Sequence, residues 1–153
     1  MTNVLLDTNI ILNLIRACNY QQVFEFVIPE NCKIFISIVS EAEIRSIAIR
    51  QNWGKRKLNS LDGFLVGVSI VEVNPLLVPT YAQIDSYSQR KNPEFGPYPF
   101  KSARNMGKND LWIASVAAIL NLQLVTTDND FDHLHGVFFE VRKMNPDGFK
   151  RFS

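Results

Sequence analysis

Val4-Leu5-Leu6-Asp7-Thr8-Asn9 near the start of the chain and Leu124-Val125-Thr126-Thr127-Asp128 near its end decide the fold. Each is a short apolar or β-branched run that stops at an acid. Runs without polar alternation read as strands buried on both faces, the habit of a parallel sheet. Between them, short strand patterns alternate with helical periodicity, which argues for an α/β domain with a mainly parallel sheet.

Working outward, Thr8 or Asn9 is expected to cap a helix over residues 10–16. A second helix is expected over 21–27, stopped near Pro29, and a strand over 33–37. Ser40 followed by Glu43 matches a capping box, with Ile44, Ile47 and Ala48 on one helix face. Further helices are expected over 58–66, 78–87 and 109–120. Strands are expected over 68–73, 122–127 and 137–141. Residues 92–107, with Pro93, Gly96, Pro97, Pro99 and Gly107, read as a long loop. Such a loop is either functional or a surface insertion.

The chain has 153 residues, which suits one domain over 1–153. With 46% hydrophobic and 20% charged residues it is not a disordered chain. Two cysteines, Cys18 and Cys32, exclude a disulfide-stapled mini-protein. Both are expected to be buried thiols in a reducing cytoplasm. No apolar run approaches a membrane span, and the opening residues Met1-Thr2-Asn3 lack the basic region of a signal peptide. Net charge is only +1, but the cations come in blocks. Arg45, Arg50, Lys55, Arg56 and Lys57 lie between Glu43 and Asp62 with no acid among them, and Lys101, Arg104 and Lys108 precede Asp110. Such blocks either steer a polyanion or form solvated surfaces.

The functional signal is the placement of acids. The carboxyl ends of parallel strands form the ligand crevice of an α/β sheet. Asp7 and Asp128 stand at two such ends, Asp110 opens an apolar helix, and Glu43 follows a third strand. If they converge, their repulsion calls for a cation. Oxygen donors suit Mg²⁺ or Mn²⁺. His133 and His135 are expected to form a surface pair rather than a zinc site. Each acid also has a plain structural account. Glu43 completes the capping box, Asp110 favours the helix dipole, and Asp128 and Asp130 are turn residues. Asp7 is hardest to dismiss, because an acid ending a buried strand needs a partner.

Four stretches together resemble the PIN domain family, and within it the VapC-type ribonuclease toxins. They are Leu6-Asp7-Thr8-Asn9; Ile36-Ser37-Ile38-Val39-Ser40-Glu41-Ala42-Glu43-Ile44; Asn109-Asp110-Leu111-Trp112-Ile113-Ala114-Ser115; and Leu124-Val125-Thr126-Thr127-Asp128-Asn129-Asp130-Phe131. The resemblance implies a three-layer sandwich with a central, mainly parallel sheet flanked by helices. It also implies RNA cleavage with Mg²⁺ or Mn²⁺, a small antitoxin partner and a homodimer. By it Asp7, Glu43, Asp110 and Asp128 form an acidic quartet, Asp130 is an additional acid, and Thr8, Asn9 and Asn109 support or orient. Lys101, Arg104 and Lys108 would bind flanking phosphates. Tyr98 and Phe100 would stack on bases, or else pack on their own domain. Two features depart from the family pattern. Arg45 follows Glu43-Ile44 where many relatives carry a glycine, which is expected only to lengthen the helix. The loop over 92–107 is longer than usual.

Other classes fit less well. A haloacid-dehalogenase-type phosphatase needs an acid two residues after the first, where Asn9 stands, and a dinucleotide site needs a glycine-rich turn after the first strand. A structure-specific DNA nuclease and a non-catalytic PIN-like nucleic-acid-binding module remain as alternatives.

Overall fold

The computed structural model of the chain describes residues 3–152. Met1, Thr2 and Ser153, which belong to the opening segment and polar tail read from the sequence, lie outside the described residues. In chain order the elements are β1 (Val4–Leu6), α1 (Thr8–Arg16), α2 (Tyr20–Val27), β2 (Ile34–Ser37), α3 (Ile38–Arg50), α4 (Lys55–Val66), β3 (Ser69–Val71), α5 (Val78–Ser88), α6 (Lys108–Leu120), β4 (Gln123–Thr126) and β5 (Val141–Lys143). Among the described residues, short 3₁₀ helices lie at Pro75–Leu77 and Asn129–Leu134 between these elements and at Pro146–Phe152 after β5.

The five strands form one parallel sheet in the order β3-β2-β1-β4-β5. Strand β1 alternates between two cores. Val4 and Leu6 meet α1, α2, α3 and α4, in a cluster with Ile10, Leu14, Val23, Ile44 and Leu61. Leu5 and Leu124 meet α5 and α6, in a cluster with Ile84, Ile113 and Val116. The result is helices, sheet, helices: the three-layer α/β sandwich that the family resemblance implies, around the parallel sheet that the continuous apolar strands predict.

That strand order locates a crevice. From β1 the chain moves toward β2 on one side, and from β4 it moves toward β5 on the other. The carboxyl ends of β1 and β4, which are paired neighbours, are therefore the switch point where α/β sheets bind ligands. Asp7 follows β1 directly, and Asp128 follows β4 by two residues.

Several sequence expectations are corrected. Ser40 is not a cap. Strand β2 runs into α3 without a loop, so Ser37 caps the helix, its Oγ accepting from Val39 N at 3.1 Å. Asp7, not Thr8 or Asn9, caps α1. The last strand is Val141–Lys143 rather than 137–141, because residues 136–138 form a turn in which Gly136 has φ of 75°. His133 is buried rather than on the surface, its Nε2 hydrogen-bonded to Ser88 Oγ at 2.7 Å. Cys18 is exposed because it falls in the turn between α1 and α2, and Cys32 is half-buried. Helix α3 does continue past Glu43 and through Arg45 to Arg50.

The loop after α5 packs onto its own domain. Tyr87 is the hub, with ring contacts to Phe95, Tyr98, Phe100, Phe138 and His133. Tyr98 Oη donates to Asn92 O at 2.6 Å and accepts from Asn92 N at 2.7 Å. Phe100 is buried. Both aromatics therefore serve the fold and are not presented to bases.

Candidate metal and phosphodiester site

The acids gather where the switch point predicts. Asp110, Asp128 and Asp130 each offer a carboxylate oxygen within 4.8 Å of the others. Helix α6 carries Asp110 in its first turn, with Gly107 at the cap position. Asp128 caps the following 3₁₀ helix, its Oδ1 accepting from Asp130 N at 3.0 Å. This turn role and membership of the cluster coexist: the cap holds two acids of the trio at fixed spacing. Lys143 steadies the same 3₁₀ helix from β5, donating to Asn129 Oδ1 at 2.8 Å and Asp132 Oδ2 at 2.7 Å.

Asp7 stands outside the compact trio and is almost wholly buried. Its Oδ1 accepts from Thr8 N at 2.8 Å and its Oδ2 from Thr126 Oγ1 at 2.7 Å. Thr126 Oγ1 in turn accepts from Asp128 N at 2.9 Å. Burial raises the Asp7 carboxyl above its usual range, opposed by the Thr126 and Thr8 hydrogen bonds and reinforced by Asp128 and Glu43. Glu43 is half-buried on α3 and accepts from Thr8 Oγ1 at 2.9 Å through Oε1. It lines an open hollow of about 450 Å³ with Gly107, Lys108, Asn109 and Asp110.

Asp110 feels four other acids. Its carboxyl is pushed up to about 7, first by burial and then by Asp7, Asp128, Asp130 and Glu43 in that order. Asp130 is also raised, by burial and Asp128, with Arg104 opposing. A site that holds five carboxylates against their own repulsion, with no thiolate or imidazole in the trio, has the donor chemistry of a hard divalent cation. The residues fit such an ion. Asp110, Asp128 and Asp130 are the compact set, with Asp7 and Glu43 at its border.

The remaining sequence candidates fall around this centre. Thr8 is buried and turned toward Glu43 rather than outward. Asn9, Asn109, Lys101 and Lys108 are exposed, and Arg104 is half-buried with its charge acting on Asp130. Thr126 and Ser40 also belong to the site, a role the sequence reading does not give them. The signal for Thr126 is a hydroxyl within a buried strand, two residues before an acid.

A parallel sandwich with a cluster of acids at its switch point defines the class: an α/β domain with a carboxylate-lined crevice at the carboxyl ends of β1 and β4. The chain belongs to the PIN domain family, which it matches over residues 4–137; these domains are nucleases. Solved structures share the fold. One is described as VapBC2 from Rickettsia felis bound to a DNA fragment from their promoter: identity is 23%, covering 92% of this chain and 97% of that one, with a TM-score of 0.70. A DNA-bound VapBC from Salmonella typhimurium is 19% identical, covering 94% and 98%, with a TM-score of 0.70. VapBC-5 from Mycobacterium tuberculosis, a member of a family of toxin-antitoxin systems, is 21% identical, covering 94% and 100%, with a TM-score of 0.64. No curated protein matches the chain. Among the described residues no helix is long and apolar enough to cross a membrane.

Proposed function

We propose that this chain is a metal-dependent endoribonuclease, the toxin of a toxin–antitoxin pair, acting in the cytoplasm. The observation that carries the reading is the carboxylate trio of Asp110, Asp128 and Asp130 at the β1/β4 switch point of a PIN domain. Similarity to chains of toxin-antitoxin complexes supports a small antitoxin partner and a homodimer.

Asp110, Asp128 and Asp130 would hold Mg²⁺ or Mn²⁺, with Asp7 and Glu43 bordering it. When bound, such an ion supplies Lewis-acid polarisation of the phosphodiester. Glu43 keeps one oxygen on Thr8 and has the other to accept the proton of an attacking water. Water adds to phosphorus, the P–O bond on the far side breaks, and the departing oxygen is protonated from solvent. Asp7, fixed by Thr8 and Thr126, sets the electrostatics of the trio. Lys108, Arg104 and Lys101 would bind flanking phosphates, with Asn9 and Asn109 orienting the substrate at the rim.

The test is cleavage of total RNA by wild type, Asp7→Asn and Asp110→Asn, each with Mg²⁺, Mn²⁺ or EDTA, with the cut ends mapped. Discrete cleavage that needs metal and is lost in both variants supports the reading. Cleavage confined to branched or flapped DNA would move the assignment to a structure-specific DNA nuclease. Binding of RNA without turnover would move it to a non-catalytic module.

A further inference from the structure

Thr8 touches two acids through two different atoms. Its backbone N–H donates to Asp7 Oδ1 and its hydroxyl to Glu43 Oε1. The same hydroxyl lies 3.0 Å from Ser40 Oγ. A threonine hydroxyl has one proton and two acceptor lone pairs. The carboxylate is the stronger acceptor, so the Thr8 proton goes to Glu43. Ser40 is then left to donate to Thr8. Ser40 is fully buried and Thr8 is 8% exposed, so water does not stand in for either partner.

We propose that Ser40 and Thr8 are positioning residues for Glu43, Ser40 acting through Thr8, and that this directional chain leaves Glu43 Oε2 as the oxygen that takes the proton from the attacking water. The proposal rests on the nuclease reading above for its catalytic consequence. Three observations support it. Glu43 stands outside the compact trio, so it is not consumed as a member of that set. It lines the hollow beside Asp110, where a water and a phosphodiester would meet. The chain also spans two elements: Ser40 and Glu43 lie one turn apart on α3, and Thr8 opens α1. Glu43 is thereby held in register with Asp7 by a single residue. Hydrogen bonds in series polarise one another, so removing the far donor weakens the near bond.

The experiment uses the full chain and a double-mutant design. Steady-state RNA cleavage with Mg²⁺ is measured for wild type, Thr8→Val, Thr8→Ser, Ser40→Ala, Glu43→Gln and the paired variants. Urea unfolding midpoints are measured in parallel. Loss of one hydrogen bond to a charged acceptor predicts that Thr8→Val lowers kcat by roughly 10- to 100-fold, with KM and the Mg²⁺ dependence unchanged. Thr8→Ser restores most of that loss. Ser40→Ala lowers kcat several-fold in the wild type and not at all in the Thr8→Val or Glu43→Gln backgrounds. A Ser40→Ala effect that persists in full in either background overturns the relay, as does a Thr8→Val loss carried by KM. If Thr8→Val does not fold, the Ser40→Ala and Glu43→Gln pair carries the same test. If wild type cleaves no nucleic acid with either metal, the nuclease reading falls. The relay is then decided by whether Ser40→Ala and Glu43→Gln couple in the unfolding midpoints.

Discussion

Thr126 Oγ1 donates to Asp7 Oδ2 across 2.7 Å, joining the carboxyl ends of two strands whose residues are 119 positions apart in sequence. Because the same oxygen accepts from Asp128 N, one buried hydroxyl orients a carboxylate just after β1 and the backbone of an acid after β4. Thr126→Val keeps the shape and removes both bonds. It leaves a buried carboxylate short of a donor, which costs about 1–3 kcal/mol of stability. Cleavage is expected to fall roughly 10- to 100-fold by the same measure, and Thr126→Ser is expected to recover most of both. A valine variant with wild-type turnover would show that Asp7 needs no such support.

Asp110 makes stability depend on pH in an unusual direction. Its carboxyl is raised from 3.8 to about 7 in the folded chain. The native state therefore holds a proton that the unfolded chain releases near pH 4. Its stabilising contribution is complete below about pH 4 and is lost as pH rises toward about 7. In EDTA, Asp110→Asn should melt above wild type at pH 8, and the advantage should disappear near pH 4. Added Mg²⁺ should raise the wild-type Tm at pH 8, since a ligand of the native state stabilises by mass action, and should raise the Asn variant far less. Calorimetric scans at the two pH values decide it: a variant less stable than wild type at pH 8 without metal sinks the account.

The acids are legible in the sequence because strand ends are legible. Val4-Leu5-Leu6 and Leu124-Val125 are apolar runs with no competing periodicity, so Asp7 and Asp128 fall at the crevice once the sheet is parallel. The hydroxyls that hold those acids leave no such trace. Thr8, Ser40 and Thr126 find their partners across 35, 32 and 119 residues. Local pattern is blind to tertiary contacts of this kind. Ser40 misleads for a definite reason: a serine three residues before a glutamate fits both a cap and a helix interior. Only the abutment of β2 on α3 moves the cap to Ser37. His133 reads as a surface residue because Asp132, Asp130 and His135 surround it in sequence, whereas Ser88 and Tyr87 enclose it in space.

His133 titrates against stability in the opposite sense to Asp110. Burial, with Arg104 nearby, lowers it from 6.5 to about 4. The native state thus excludes a proton that the unfolded chain takes up near 6.5. The contribution is present above about pH 6.5 and is lost as pH falls toward about 4. His133→Phe keeps the packing against Phe100 and Tyr87 but loses the Ser88 bond. It should be less stable than wild type by about 1 kcal/mol at pH 7.5. That deficit should narrow, then reverse, between pH 6 and 4. Urea midpoints for the pair across that range are the measurement, and a deficit constant with pH would mean His133 is not kept neutral by its surroundings.

The cations around the hollow make separable predictions from the acids. Lys108 is exposed at the start of α6 and lines the hollow with Asp110, and Arg104 reaches far enough to act on Asp130. Neither is placed to move a proton, so Lys108→Ala and Arg104→Ala should raise KM with kcat nearly intact. Each phosphate contact removed should reduce the salt dependence of binding by roughly 0.7 in the slope of log K against log salt for a single strand. Lys101 is exposed on the same loop and is not among the residues lining the hollow, so its removal should change the slope least. Fluorescence titrations of a catalytically silent Asp110→Asn background between low and moderate salt give the slopes directly. If Arg104→Ala leaves the slope unchanged but shifts the metal dependence, its charge serves Asp130 alone, and phosphate binding passes to Lys108.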